Sequence, residues 1–336
     1  INRAKGIKKG KLQRPLEGKI IALLFEKPSL RTRASFEVGI RRLGGECFFL
    51  GGSEVGLGQR EPVPDVARVL DRWVDGIVAR VFSHKNLILL AEHTSIPVIN
   101  ALSDLEHPCQ AMADLLTISE HNGSFVGQRL AYIGDGNNVA GSLAIACASV
   151  GTEFVIASPP AYQVEDITWQ EAHIRASRNK THVTWVQSPE IAALDADVIY
   201  TDVWVSMGFE EESKDRLAVM APYQVNETLL EQATPDVKVL HCLPAYRGKV
   251  HERIVLIIID EAVRLRAGQN PGRYGPQHHQ QAYRYPDRQH RESVGGITDD
   301  RHWQRLHRRR QRHCRRNLRN YLGYNLGDRD RRLCNK

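Results

Sequence analysis

From Gly18 to about Asp260 the chain alternates short, unbroken apolar runs with amphipathic stretches, and that alternation excludes most architectures. The strand candidates built on these runs are Lys19–Phe25, Glu46–Leu50, Gly76–Phe82, Ile96–Ala101, Arg129–Ile133, Glu153–Ala157, Val183–Val186, Asp197–Tyr200 and Val237–His241. A strand with one wet face alternates polar and apolar residues, whereas an unbroken run needs cover on both sides. Ala34–Leu43, Asp65–Val74, Gln110–Glu120 and Ser142–Val150 carry helical spacing and supply that cover. The pattern predicts an α/β fold of two doubly wound domains, each with a central, mainly parallel sheet. Gln110–Glu120 reads as the helix joining them, with His121-Asn-Gly-Ser as the loop beyond. The domains then span 1–120 and 121–262, and a chain of 336 residues can give each its own core.

The remainder, 263–336, differs in kind. Stretches such as "QHHQQAYRYPDRQHRE" and "RLHRRRQRHCRRNLRN" hold few aliphatic residues and no sustained period. Such a composition buries too little apolar surface to offset the entropy of ordering, so this tail is expected to be poorly ordered. Residues 271–336 carry 16 Arg and one Lys against six acidic groups, a net +11 that leaves 1–270 at −4 within the total of +7. A basic balance is the usual footprint of a nucleic-acid partner, but here the main body gives it no support. The tail fits either a nucleic-acid-binding segment or a peptide read in a shifted frame, and its abrupt His- and Gln-rich onset favours the second.

Six cysteines without a CxxC pair point to a reducing, cytoplasmic setting rather than a disulfide framework. No apolar stretch approaches the roughly 20 residues that cross a bilayer, so no membrane partner is expected. The N-terminus has no signal-peptide pattern, and a chain starting at Ile1 is expected to be a fragment or a processed form.

In open α/β sheets ligands bind beyond the carboxyl ends of the strands, and several polar clusters fall there. Ser29-Leu30-Arg31-Thr32-Arg33 follows the first run, where free N–H groups, the helix dipole and forked guanidinium donors favour an anion. A solvated basic turn would look the same. Arg80 sits inside an otherwise apolar run, which is costly unless the guanidinium is paired or serves a site. In "HPCQ", Pro108 suits a first helical turn, and His107 and Gln110 lie one turn apart, able to share a ligand or merely to cap. "GDGNN" (134–138) follows a strand and opens a helix but lacks GxGxxG spacing. "DVWVSMG" (202–208) places a carboxylate and a hydroxyl after another strand, and "HCLP" (241–244) places a thiol, each with an ordinary structural explanation of its own.

The order of these clusters is more specific than any one of them. "FEKPSLRTRASFEVG", "DVARVLDRWVDGI", "HPCQAMADLLTI" and "HCLPAYRG" occur in series, and the stretch from about Leu16 to Gly248 resembles the ornithine carbamoyltransferases. The resemblance implies transfer of a carbamoyl group from carbamoyl phosphate to the side-chain amine of L-ornithine, giving citrulline and phosphate in arginine metabolism, whether biosynthesis or breakdown. It casts 1–120 as the carbamoyl-phosphate domain and 121–262 as the ornithine domain. By resemblance Ser29, Leu30 (through its backbone), Arg31, Thr32 and Arg33 hold the phosphate. Arg80 bridges phosphate and carbonyl, and His107 and Gln110 hold the carbamoyl group. Asn138, Asp202, Ser206 and Met207 grip the amino-acid end of ornithine, and Cys242 and Leu243 line the reacting centre. No metal and no cofactor is implied, and relatives work as a homotrimer or a multiple of trimers.

The chain departs from the family pattern at Gly56, where many relatives lend a glutamine to the neighbouring subunit. It departs again before Lys11, where the usual first helix is expected to be missing or truncated. After Asp260–Ala262 an arginine and a long apolar helix are the family norm, and Arg264 fits that arginine poorly. The competing expectation is a catalytically impaired member whose basic tail binds nucleic acid.

Overall fold

A computed structural model describes residues 1–9, 14–204, 213–245 and 257–258. All belong to one compact unit, Ile1–Tyr283, and a second, Arg284–Lys336, lies outside the described residues. The elements run α1 (Asn2–Lys8), β1 (Ile20–Phe25), α2 (Leu30–Arg42), β2 (Glu46–Gly51), α3 (Gly52–Val55), α4 (Val63–Trp73), β3 (Gly76–Arg80), α5 (His84–Glu92), β4 (Val98–Leu102) and α6 (Pro108–Asn122). They continue with β5 (Arg129–Ile133), α7 (Asn138–Val150), β6 (Glu153–Ala157), α8 (Asp166–Arg178), β7 (Val183–Val186), α9 (Pro189–Ala193), β8 (Val198–Thr201), α10 (Ser213–Met220), α11 (Glu227–Leu230), β9 (Lys238–His241) and β10 (Ile257–Ile258).

These form two parallel-sheet α/β domains. The first sheet has the order β2-β1-β3-β4 and the second β10-β9-β8-β5-β6-β7, with every pairing parallel. The central strands are the unbroken apolar runs: β3 is buried throughout, and β1 at all but its first residue. Edge strands β2 and β4 are only partly covered, which is why their sequences tolerate Glu46 and Asn100. Helix α4 shows how the cover works, burying Val63, Val66, Ala67 and Leu70 at helical spacing beneath the first sheet. Helix α7 is rich in Ala, Gly and Ser and packs closely between α6 and α8; a Cβ at Gly141 would stand 2.8 Å from Thr168 Cγ2.

In each sheet the chain winds outward one way and then returns to wind the other. The direction reverses between β1 and β3 in the first sheet and between β5 and β8 in the second. At such a reversal the loops after the two strands part to opposite faces and leave a crevice at the carboxyl ends. Ser29 and Asp202 lie on those loops, and Arg80 and Asn138 lie at the ends of the elements they join.

Two helix starts differ from the sequence expectation, for one reason. Ser29 Oγ accepts the Thr32 N–H at 3.2 Å, and Asn137 Oδ1 accepts from Val139 N at 2.9 Å and Ala140 N at 3.2 Å. Capping by these side chains begins the helices at Leu30 and Asn138, four residues before the starts read from periodicity. Arg31 and Arg33 therefore lie in the first turn of α2 rather than ahead of it. A helix is also present before Lys11: α1 leans on the end of α6, with Lys8 paired to Glu120 at 2.7 Å and Lys5 Nζ donating to Ser119 Oγ. No helix among the described residues is long and apolar enough to cross a membrane.

Candidate active site

Arg80 is the last residue of β3, and the ladder to β4 slips there: Ala79 faces Asn100 while Arg80 faces Leu102. The surplus residue, Ala101, belongs to β4, while Arg80 keeps even register with Phe25 of β1. The Arg80 guanidinium is buried and donates from Nη1 to Thr32 Oγ1 at 3.2 Å, while Nε is buried without a protein partner. Burial, reinforced by the nearby charge of Arg31, lowers its pKa to about 10. Arg31 is exposed, and among the described residues no carboxylate pairs with it. The Leu30 side chain is 82% exposed, in keeping with a backbone role. Arg33 points elsewhere, bonded to Glu37 at 2.7 Å with its guanidinium 3.7 Å from the centre of the Phe49 ring.

His107 precedes α6 but does not cap it with its side chain. Its backbone N–H donates to Ser142 Oγ at 2.8 Å, and its Nδ1 is buried without a protein partner. Burial first, and the Arg80 charge second, lower the ring's pKa to about 3, so the imidazole is neutral at physiological pH. One turn on, Gln110 Nε2 donates to the fully buried Asp114 at 2.9 Å.

The second crevice is built around Asp202, just past β8. Its Oδ2 accepts from Asn137 Nδ2 at 2.9 Å, and its Oδ1 accepts from the Cys242 thiol at 3.0 Å and from Val203 N at 2.7 Å. Burial, with the Asp202 charge, pushes the Cys242 thiol well above its ordinary range, so it stays protonated. Leu243 follows, joined to Pro244 by a cis peptide bond. Asp202, His241 and Cys242 each bring one donor atom within 4.8 Å of the others, a set able to hold a divalent ion.

Hydrogen bonds join the halves beside the packing of α6 against α7. Asn138 Nδ2 donates to Ser103 O at 2.6 Å, and the His107 N–H reaches Ser142 as described. Arg80 thus meets Thr32 and lies near enough to His107 for its charge to be felt, while Asn137 and Cys242 both bond Asp202, and Asn138 reaches across to Ser103. Ser206 and Met207 lie outside the described residues, as do Arg264 and the whole tail.

Sequence reasoning missed Asn137, Ser103 and Ser142, whose links are visible only in three dimensions. It also passed over Lys27, half-buried with its ammonium 4.7 Å from the centre of the Phe82 ring, its pKa lowered by burial and then by Arg80. A lysine directly before Pro28 and the anion-suited turn was the available signal.

One crevice thus offers cationic and N–H donors, and the other a buried carboxylate. Residues 1–120 match the model of the aspartate/ornithine carbamoyltransferase carbamoyl-P binding domain, and 126–264 match that of the Asp/Orn binding domain. The chain belongs to the aspartate/ornithine carbamoyltransferase family. It is 50% identical over 254 residues to an ornithine carbamoyltransferase of Bacillus subtilis, covering 76% of this chain and 79% of that one. A Pyrococcus furiosus protein described as ornithine carbamoyltransferase, anabolic, is 47% identical over 242 residues, which is 71% of this chain and 76% of the relative. The solved structure of ornithine carbamoyltransferase from Pyrococcus furiosus superposes with a TM-score of 0.75 at 42% identity, covering 80% of this chain and 88% of that one.

Proposed function

We propose that this chain transfers the carbamoyl group of carbamoyl phosphate to the side-chain amine of L-ornithine, releasing L-citrulline and phosphate. The observation that carries the reading is the pair of buried nitrogens without protein partners, Arg80 Nε and His107 Nδ1, at the crevice of the first sheet. Buried polar atoms are rarely left unmatched, and a bound carbamoyl phosphate offers oxygens to both.

In this reading the phosphate sits against the first turn of α2, held by the Leu30 backbone, Ser29, Arg31 and Thr32. Arg33, engaged by Glu37 and Phe49, supports that turn. Arg80 spans phosphate and carbonyl, with Thr32 fixing its other edge. Neutral His107 donates an N–H to the carbonyl oxygen and stabilises the negative charge that develops there, while Gln110 orients the carbamoyl amide. The neutral side-chain amine of ornithine attacks the carbonyl carbon. The C–O bond to phosphate then breaks, and the departing phosphate takes the proton lost by the amine. Asp202 meets the α-ammonium, Asn138, Ser206 and Met207 hold the rest of the amino-acid end, and Cys242 and Leu243 line the reacting centre. Holding both substrates in place supplies much of the remaining acceleration.

We assign the carbamoyl-phosphate half to 1–120 and the ornithine half to 121–262, and place the enzyme in the cytoplasm as a homotrimer or a multiple of trimers, serving arginine biosynthesis. Purified protein supplied with carbamoyl phosphate and either ornithine, aspartate or putrescine tests the central reading. Citrulline from ornithine supports it; product from only the other amines overturns it.

A further inference from the structure

Arg216 belongs to no motif that suggested a function, yet it sits in a place that is costly for a cation. It lies on α10, 9% exposed, and its Nη1 donates both to Asp135 Oδ2 at 2.8 Å and to the Trp204 carbonyl at 3.3 Å. Its guanidinium lies 4.7 Å from the centre of the Tyr162 ring, and Trp204 and Met220 close over the same spot with Leu217 packed beside them. A buried ion pair contributes little net stability, because desolvation offsets most of the attraction; its best-attested use is to fix one arrangement among several.

What it fixes is visible in the chain. Asp135 stands two residues before Asn137, whose amide bonds Asp202, and Trp204 stands two residues after Asp202. Arg216 Nη1 thereby bridges the β5–α7 loop and residues 202–204, which follow β8. Both lie beyond the carboxyl ends of the two strands that flank the second crevice. It also lies among acidic groups: Asp135 feels both the Arg216 charge and the like charge of Asp202.

We infer that Arg216 is a positioning residue for the amino-acid substrate, a clamp that holds Asp135 and Trp204 so that Asp202 and Asn137 keep the spacing the α-ammonium end requires. It touches no substrate. The inference rests on the acceptor reading above and extends it to a residue outside the site.

The test compares wild type with Arg216→Met, Arg216→Lys and Asp135→Asn, varying ornithine and carbamoyl phosphate independently. Arg216→Met and Asp135→Asn should raise the ornithine KM about tenfold or more and leave the carbamoyl phosphate KM within about twofold. Arg216→Lys keeps the charge without the fork and should fall between them and wild type. An unchanged ornithine KM, or both KM values rising together, overturns the clamp. Should Arg216→Met fail to fold, the two milder variants decide. Hydrogen exchange separates this inference from the acceptor reading. If wild type makes no citrulline from ornithine, the acceptor reading falls. The clamp still stands if amides of 135–139 and 201–204 exchange faster in the variants while those of 26–33 do not. Equal exchange in both segments sinks it.

Discussion

His107 should leave a measurable mark on stability as well as on catalysis. Its ring is held neutral by burial and by Arg80, with a pKa of about 3 against an ordinary value near 6.5. Above about pH 6.5 both folded and unfolded chains carry a neutral ring, and His107 adds no pH dependence. As pH falls below that, the unfolded chain takes up a proton that the folded chain refuses, so the folded state loses ground until about pH 3. Between about pH 7.5 and pH 5 the loss from this ring alone is about 2 kcal/mol, at about 1.4 kcal/mol per unit over about 1.5 units. His107→Gln has no titrating ring and removes that part, whatever the other histidines contribute. The assay is urea unfolding of both proteins at the two pH values. Wild type should lose about 2 kcal/mol more than the variant on going to the lower pH. Equal losses, within roughly 0.5 kcal/mol, would falsify the neutral, desolvated ring and with it the hydrogen-bond role given to His107.

Thr32→Val removes the acceptor of Arg80 Nη1, and kcat/KM for carbamoyl phosphate should fall roughly tenfold, about 1–2 kcal/mol; steady-state kinetics with ornithine saturating reads it. Arg80→Ala should cost on the order of 10²–10³ in turnover with the fold intact by circular dichroism, and a variant of near wild-type rate refutes its assignment. A Cβ at Gly136 would stand 2.4 Å from the Gln163 carbonyl carbon and 2.6 Å from Tyr162 O, so Gly136→Ala should destabilise by roughly 3 kcal/mol in thermal unfolding. The Cys242 thiol, pushed up by burial and Asp202, should react with iodoacetamide at about pH 8 far more slowly than free cysteine, as mass spectrometry of the Cys242 peptide would show.

Much of the architecture was legible because buried parallel strands must be apolar along their length. Each apolar run became a strand within a residue or two, and the two crevices follow from the order in which those strands pair. Helix starts were read late because periodicity reports the buried face and is blind to a cap such as Ser29 or Asn137. Short α1 and the two-residue β10 were missed for want of any sustained pattern. The candidate site residues were chosen from motif order, which carries no information about their partners. Arg216 and Asp135 are far apart in the chain, and nothing local in either segment announces the other. Arg33 belongs to the motif, and its contacts with Glu37 and the Phe49 ring were equally invisible in it.

The slip in the first sheet falls on its edge: Ala101 is one residue more than β3 can match, while β3 stays in even register with β1. A strand with a surplus residue bends away from its neighbour. Shortening β4 by that residue would restore even pairing and exchange the faces of everything after it in the strand. The segment leading to His107 starts there, so an edit at the border of the sheet, touching no polar side chain, would displace that histidine.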